Sequence, residues 1–201
     1  MTGKNKRTLK FIKSYPTPKE LYEQIVNSEG WDYKRNREKF LIRDRALVAI
    51  LYLLALRISE ALRLQKEQFI FPEDSGREDA IIVREIKLSK SRWKDKPRKE
   101  QYRQEAFLPL KGPRAELTKL VLHYLAVLEP QDKLFKFGTS RAWQIVIAML
   151  DVPCHWLRAY GENFLYDMWK HDLLAVSDYI KVNVRTLSLY IKKGYEKYEP
   201  V

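Results

Sequence analysis

The chain is organised around one long apolar stretch, which lies between Glu38 and Leu56. Six large apolar side chains recur there at the three- and four-residue spacing of a helix: Phe40, Leu41, Leu47, Ile50, Leu51 and Leu54. Such spacing gives a helix an apolar face, so this stretch predicts a long buried helix at the centre of the core. Ser59 is then expected to cap a short second helix, which carries Glu60. The chain therefore places an arginine, Arg57, directly after its most apolar helix.

The remaining elements are predicted from capping, turn and strand signals. Thr17 to Glu20 form a capping box with proline at the first helical position, which predicts a helix over about 18–27. Strand-forming residues predict three short strands, at residues 69–71, 80–86 and 106–110. A turn at residues 72–76 follows the first strand. Further helices are expected at about 113–128, 140–150, 153–170, 171–180 and 184–193. The expected class is α+β, mostly helical, with a small three-stranded antiparallel sheet.

The charge balance indicates a polyanionic partner. The 201 residues include 38 Lys and Arg against 26 Asp and Glu, a formal net charge of +12. Nucleic acid is the leading candidate for such a partner, and a merely basic soluble protein is the alternative. The single cysteine, Cys154, excludes a disulfide framework and a multi-cysteine zinc site.

No window of the sequence is long and apolar enough to span a bilayer, and no apolar signal core is present. We therefore expect a cytoplasmic protein of a prokaryotic cell, or of its virus or plasmid, without a membrane partner.

The densest cationic segment lies between the second and third predicted strands. Eight of the 17 residues from Lys87 to Arg103 are basic, and Trp93 and Tyr102 are interleaved with them. A run of charge is usually a solvated face, but a basic hairpin that also carries aromatic rings suits contact with nucleic acid. The expected DNA-binding residues are Lys87, Arg92, Lys94, Lys96, Arg98 and, nearer the C-terminus, Arg185.

A second group of chemically useful residues lies towards the C-terminus. His155 and Arg158 are three residues apart and therefore share one face of a predicted helix. Tyr190 follows in the setting Thr186-Leu187-Ser188-Leu189-Tyr190. A planar guanidinium matches a phosphate through paired hydrogen bonds, and a phenolic oxygen can attack a phosphodiester. Together with Arg57, these residues suit the binding and attack of a phosphodiester.

In order and spacing, these residues resemble the tyrosine recombinase, or phage integrase, family. Residues 55–62 are similar to the family's first arginine box, and residues 43–47 to the element before it. His155 and Arg158 match its His-x-x-Arg box. The resemblance runs from about residue 16 to residue 193. It implies a catalytic domain over residues 16–194, a basic arm over 1–15 and a tail over 195–201.

The resemblance implies that the chain cuts and rejoins DNA without a metal, ATP or another cofactor. Tyr190 would attack the scissile phosphate and leave a 3′-phosphotyrosyl link. Arg57 and Arg158 would bind the non-bridging oxygens. His155 would move a proton to or from the tyrosine hydroxyl.

The resemblance also implies a lysine that protonates the departing 5′-oxygen. Lys90 of the hairpin is the first choice, with Lys87 and Lys94 as alternatives. Most family members carry a histidine or tryptophan nine residues before the nucleophile, where this chain has Lys181. Lys181 would then donate a hydrogen bond to a phosphate oxygen in its place. Members also carry an N-terminal helical DNA-clamping domain, so the chain is expected to be an excised catalytic domain or a minimal protein.

Three alternatives remain open at the level of sequence. Residues 174–194 are also typical of a helix-turn-helix, in which residues 184–193 would enter the major groove of DNA and the protein would be a regulator. A catalytically degenerate DNA-binding relative and a type IB topoisomerase-like nicking enzyme are the other two. The expected partner in each case is double-stranded DNA. For a recombinase we expect a monomer in free solution that assembles as a tetramer on DNA.

Overall fold

The computed structural model describes residues 15–30, 37–88 and 101–195. The helices are α1 (Pro18–Asn27), α2 (Arg37–Leu53), α3 (Ile58–Ala61), α4 (Pro72–Ser75), α5 (Ala115–Leu125), α6 (Thr139–Leu150), α7 (Cys154–Met168), α8 (Leu173–Ile180) and α9 (Val184–Tyr195). The strands are β1 (Phe69–Ile70), β2 (Ala80–Lys87) and β3 (Tyr102–Pro109), which form one antiparallel sheet in the order β1-β2-β3. The predicted mostly helical α+β class is confirmed.

Helix α2 forms the centre of the core, as its apolar periodicity predicts. Every residue from Ala46 to Leu56 is at most 2% exposed. Helices α5 and α7 pack against it. The approach of α7 is close because Gly161 has no side chain: a Cβ atom there would lie 2.2 Å from the backbone carbonyl oxygen of Tyr52. A helix that is buried on all its faces provides a rigid support for the residues at its end.

The chain reverses direction directly after α2, and the predicted bounds were wrong here. The helix ends at Leu53 rather than near Leu56, and Ala55 adopts a left-handed conformation with φ of 49°. The N-cap of α3 is Arg57, so Ser59 does not cap this helix but lies within it. The backbone N–H of Arg57 donates to Oε2 of Glu60 at 2.8 Å, which closes the capping turn.

The third strand begins earlier in the chain than the sequence predicts. β3 starts at Tyr102, within the basic segment, where the expected strand started at residue 106. Glu85, in the middle of β2, has a left-handed φ of 51°. The Gln68 side-chain amide donates to the carbonyls of Arg84 and Glu85, at 2.8 and 3.0 Å. This bend comes just before the hairpin segment, of which residues 89–100 lie outside the described part of the chain.

Helices α8 and α9 pack, together with α7 and the turn after α2, around a second and smaller apolar core. Its buried members beyond the main core are Ala55, Leu165, Val176, Ile180, Val182, Leu187 and Ile191. A three-residue connection, residues 181–183, joins the two helices. None of the described helices is both long and apolar enough to cross a bilayer.

Candidate active site

A cavity of about 580 Å³ lies between α3, α6, α7 and the start of α9. Arg57, His155, Arg158 and Thr186 line it. The turn after α2 supplies Arg57, and the first turns of α7 supply His155 and Arg158. The structure therefore brings together three residues that the sequence proposed for one site, although about a hundred positions separate Arg57 from the other two.

One buried carboxylate holds both arginines of the cavity. The Glu60 side chain is 2% exposed, and its Oε1 lies 2.9 Å from Nη1 of Arg57. Its Oε2 lies 3.3 Å from Nη1 of Arg158. The Nε of Arg158 also donates to Oε1 of Glu162 at 2.6 Å. The two guanidinium groups are thus fixed in position before any ligand is bound.

Arg158 retains one free hydrogen-bond donor. The residue is 8% exposed, and its Nη2 is buried with no acceptor among the residues that the structure describes. A buried donor of a charged group that stays unpaired costs about 1–3 kcal/mol or more. Arg158 lines the cavity, so a shift of its side chain that let an oxygen atom in the cavity pair with this buried donor would remove that cost. The site is therefore suited to an anion.

A third arginine, Arg103 on β3, is buried near this pair. The sequence predicted it only as one basic residue of the segment between the second and third strands. Its residue exposure is 2%, and its Nη1 donates to the carbonyl of Leu54 at 2.6 Å. Its guanidinium carbon lies 3.9 Å from the ring centre of Tyr179. Burial is the largest effect on the pKa of Arg103 and lowers it; the nearby charge of Arg158 lowers it further, and that of Glu60 raises it.

No simple sequence signal identifies Arg103 as a core residue. The alternation of faces along β3 breaks at Gln104 and Glu105, which are both exposed. These residues lie opposite the left-handed bend at Glu85, since Arg84 pairs with Glu105 and Ile86 with Arg103. Strict alternation from Ala106 would have turned Arg103 towards solvent.

His155 lies on the exposed rim of the cavity, in the first turn of α7. Partial burial lowers the pKa of His155 below its ordinary value of 6.5. The imidazole is therefore neutral at neutral pH and can accept a proton.

The neighbouring thiol has a different character. Burial raises the pKa of Cys154 to about 12, so the protonated thiol is its stable form. Among the described residues, no group of three His, Cys, Asp or Glu side chains is arranged to hold a metal ion.

Some of the other predicted site residues lie at the end of α8 or in α9, and others lie outside the described part of the chain. Tyr190 is four residues after Thr186 in the same helix, α9. Lys181 does not line the cavity: its Nζ lies 2.7 Å from Asp178, at the C-cap of α8. Outside the described residues are Lys90, Arg92, Lys94, Lys96 and Arg98.

Two predicted DNA-binding residues are described. Lys87 ends β2 and lines a second cavity, of about 600 Å³, which also includes Glu60, Arg63 and Tyr102. Arg185 is exposed in the first turn of α9, where its backbone N–H donates to Oδ1 of Asn183 at 2.9 Å. Both therefore lie beside elements that form the cavity of the arginine pair.

The fold is that of the tyrosine recombinases, as two solved structures show. The XerH site-specific recombinase bound to palindromic difH substrate, a post-cleavage complex, aligns with a TM-score of 0.63 and 19% identity, over 92% of this chain and 51% of that chain. The pre-cleavage complex of XerH with difH substrate aligns with a TM-score of 0.61 and 18% identity, over 92% of this chain and 53% of that chain. This chain thus spans about half the length of those recombinase chains. No protein-family model and no curated protein sequence matches it.

Proposed function

We propose that this chain is the catalytic domain of a site-specific DNA recombinase or integrase that cuts and rejoins strands through a 3′-phosphotyrosyl intermediate. The observation that carries the proposal is the arginine pair that Glu60 holds at one wall of the cavity, with His155 and Thr186 lining the same cavity. The similarity of the fold to XerH, which was solved on its DNA substrate, supports it.

The charges of the arginine–glutamate cluster at the cavity favour a singly charged ligand. Three positive and two negative side chains belong to it, which leaves one positive charge: Arg57, Arg103, Arg158, Glu60 and Glu162. A phosphodiester carries one negative charge and presents two non-bridging oxygens, so it would neutralise the cluster and supply acceptors to Arg57 and Arg158.

The proposed reaction is a transesterification with no oxidation or reduction. The Tyr190 oxygen forms a bond to phosphorus, and the bond from phosphorus to the 5′-oxygen breaks. The phenolic proton leaves towards neutral His155, and a hairpin lysine, Lys90 in the first instance, gives a proton to the 5′-oxygen. The reverse sequence rejoins the strand, because the phosphotyrosyl ester conserves the free energy of the broken bond. Lys181 is proposed as an additional donor to a phosphate oxygen.

The proposed domain covers residues 16–194, between the basic arm and the tail. Its proposed substrate is double-stranded DNA, contacted by the hairpin and by Arg185 through phosphate groups. We propose a monomer in free solution that forms a tetramer on DNA.

Covalent trapping tests the proposal directly. The protein is incubated with a pool of duplexes that carry a nick and randomised flanking sequence, so that the short cut product diffuses away and the adduct persists. We expect a denaturing gel to show a protein–DNA adduct that protease removes. The Tyr190→Phe variant should lose the adduct, while Tyr195→Phe, in the same helix, should retain it.

The alternatives give different results in the same assay. Salt-sensitive DNA binding without any adduct would favour the helix-turn-helix regulator or a degenerate relative. An adduct that forms at any sequence, together with relaxation of supercoiled plasmid by the protein alone, would favour the topoisomerase-like alternative. An adduct that persists in Tyr190→Phe would show that Tyr190 is not the nucleophile.

A further inference from the structure

One tryptophan is exposed inside the cavity that holds the arginine pair. Trp143 lies on α6, is 44% exposed, and lines the cavity together with Arg57 and Arg158. Large exposed apolar side chains within the described residues are Val127, Trp143, Met168 and Leu174. Of these, Trp143 is the one that lines this cavity. Its position is therefore specific to the candidate site.

The indole has no partner within the described part of the chain. Its ring makes no stacking or cation–π contact there, and its N–H has no hydrogen-bond acceptor there. A tryptophan normally gains stabilisation by burying its ring and pairing its N–H. Burial of this exposed apolar surface by a ligand, in a concave site beside cations, is therefore favourable.

We infer that Trp143 is the apolar half of a nucleotide-binding site, and that it packs on the deoxyribose next to the phosphate held by Arg57 and Arg158. This inference rests on the proposed function. A phosphodiester joins each charged group to a sugar with an apolar face, so a phosphate at the arginines brings that face into the same cavity. A cavity of about 580 Å³ is within the range that holds ligands of nucleotide size.

An apolar contact and a phosphate contact differ in their response to salt. Each phosphate neutralised by a cation releases counterions, so the loss of one such contact reduces the slope of log K against log salt by about one. Removal of an aromatic contact weakens binding equally at every salt concentration and leaves the slope unchanged. The salt dependence therefore separates the proposed role of Trp143 from that of the arginines.

The experiment measures binding of a fluorescein-labelled duplex of mixed sequence by anisotropy over a series of salt concentrations. We expect Trp143→Ala to weaken binding about tenfold at each concentration with an unchanged slope, and Trp143→Phe to keep most of the affinity. Arg57→Gln should reduce the slope by about one. Met168→Ala is the matched control, because Met168 has a similar exposure of 46% outside this cavity.

Each other outcome overturns the inference in a distinguishable way. If the unchanged protein shows no salt-sensitive binding, the proposed function fails and this inference fails with it. If the protein binds but Trp143→Ala binds equally well, the inference alone is overturned. A reduced slope in Trp143→Ala, with an unchanged melting temperature, would show that Trp143 acts by positioning the arginines instead of contacting the sugar.

Discussion

The carboxylate of Glu60 lies 3.3 Å from Nη1 of Arg158, a residue 98 positions further along the chain. This contact joins the short helix after the reversal, α3, to the first part of α7. Because the same carboxylate also binds Arg57, the cationic wall of the cavity is one connected unit. Substitutions at these three positions should therefore have effects that do not add.

Glu60→Gln should destabilise the protein markedly. The change leaves two arginine side chains without the buried negative charge that they share. Removal of one partner from such a buried group typically costs about 3 kcal/mol or more. Urea denaturation measures the loss, with Glu116→Gln as control because Glu116 forms an exposed pair with Lys119. The control should lose less than about 1 kcal/mol, and a similarly small loss for Glu60→Gln would contradict the prediction.

His155 should titrate below pH 6.5 in the free protein, because partial burial lowers its pKa. Just below pH 6.5 the folded protein then binds fewer protons at His155 than the unfolded chain does. The stability contributed by His155 is therefore fully present above the unfolded pKa and is lost as the pH falls from there through the lower folded pKa. An NMR titration of the imidazole measures this pKa, and His155→Gln assigns the signal.

A phosphodiester bound at the arginine pair should raise that pKa, since a nearby negative charge favours the imidazolium form. The titration repeated with a saturating short duplex tests this step. A free-protein pKa at or above 6.5 would show that burial does not control this residue.

Lys181→Gly should raise the free energy of unfolding. Lys181 has a left-handed φ of 53° at the C-cap of α8, which costs a residue with a side chain about 1 kcal/mol relative to glycine. The exposed contact of Lys181 with Asp178 contributes little in return. Thermal and urea denaturation measure the expected gain of about 1 kcal/mol.

Substitutions of Lys181 also test its proposed role as a donor to a phosphate oxygen. If Lys181 donates to a phosphate oxygen, Lys181→Gly should form the covalent DNA adduct about a hundredfold more slowly while being more stable. Lys181→Asn is the matched variant, because asparagine tolerates the left-handed conformation but carries no charge. Normal adduct formation in both variants would assign the residue to the helix cap alone.

Gly161→Ala should be among the most damaging single changes in the core. The added Cβ would lie 2.2 Å from the backbone carbonyl oxygen of Tyr52, and backbone in a buried helix cannot move aside cheaply. We expect a loss of about 3 kcal/mol or more, measured by denaturation. Gly138→Ser is the control, because a Cβ there meets nothing within 4 Å and a serine can cap α6. Equal stability of the two variants would contradict the close packing of α7 on α2.

The sequence predicted the elements whose signals are local. The capping box at Thr17 predicted the start of α1, and the helical periodicity before Leu54 identified the buried helix. The fold class followed from these patterns, and the spacing of His155 and Arg158 placed both on one helix. Arg57 was assigned to the same site through the resemblance to the tyrosine recombinases, because no local pattern connects residues so far apart.

The features that were missed depend on contacts between distant segments. Arg103 becomes buried because the strands bend at Glu85, and Trp143 reaches the cavity through the packing of α6 beside α3 and α7. The left-handed turn at Ala55 occurs at a residue with no preference for it. Tertiary packing imposes all three, so a pattern of residue types does not record them.

The second, smaller apolar core holds α8 and α9 against α7, so we expect the C-terminal helices to open as one unit. Their amide hydrogens should exchange through a local opening that costs less free energy than global unfolding. Arg57, Glu60 and Arg158 lie at α3 and α7, outside the two C-terminal helices, so their ion pairs need not break during such an opening. Under the proposed function, DNA held at the arginines would stay bound while the helix that carries Tyr190 moves away, so capture of a strand and its cleavage would be thermodynamically separate events.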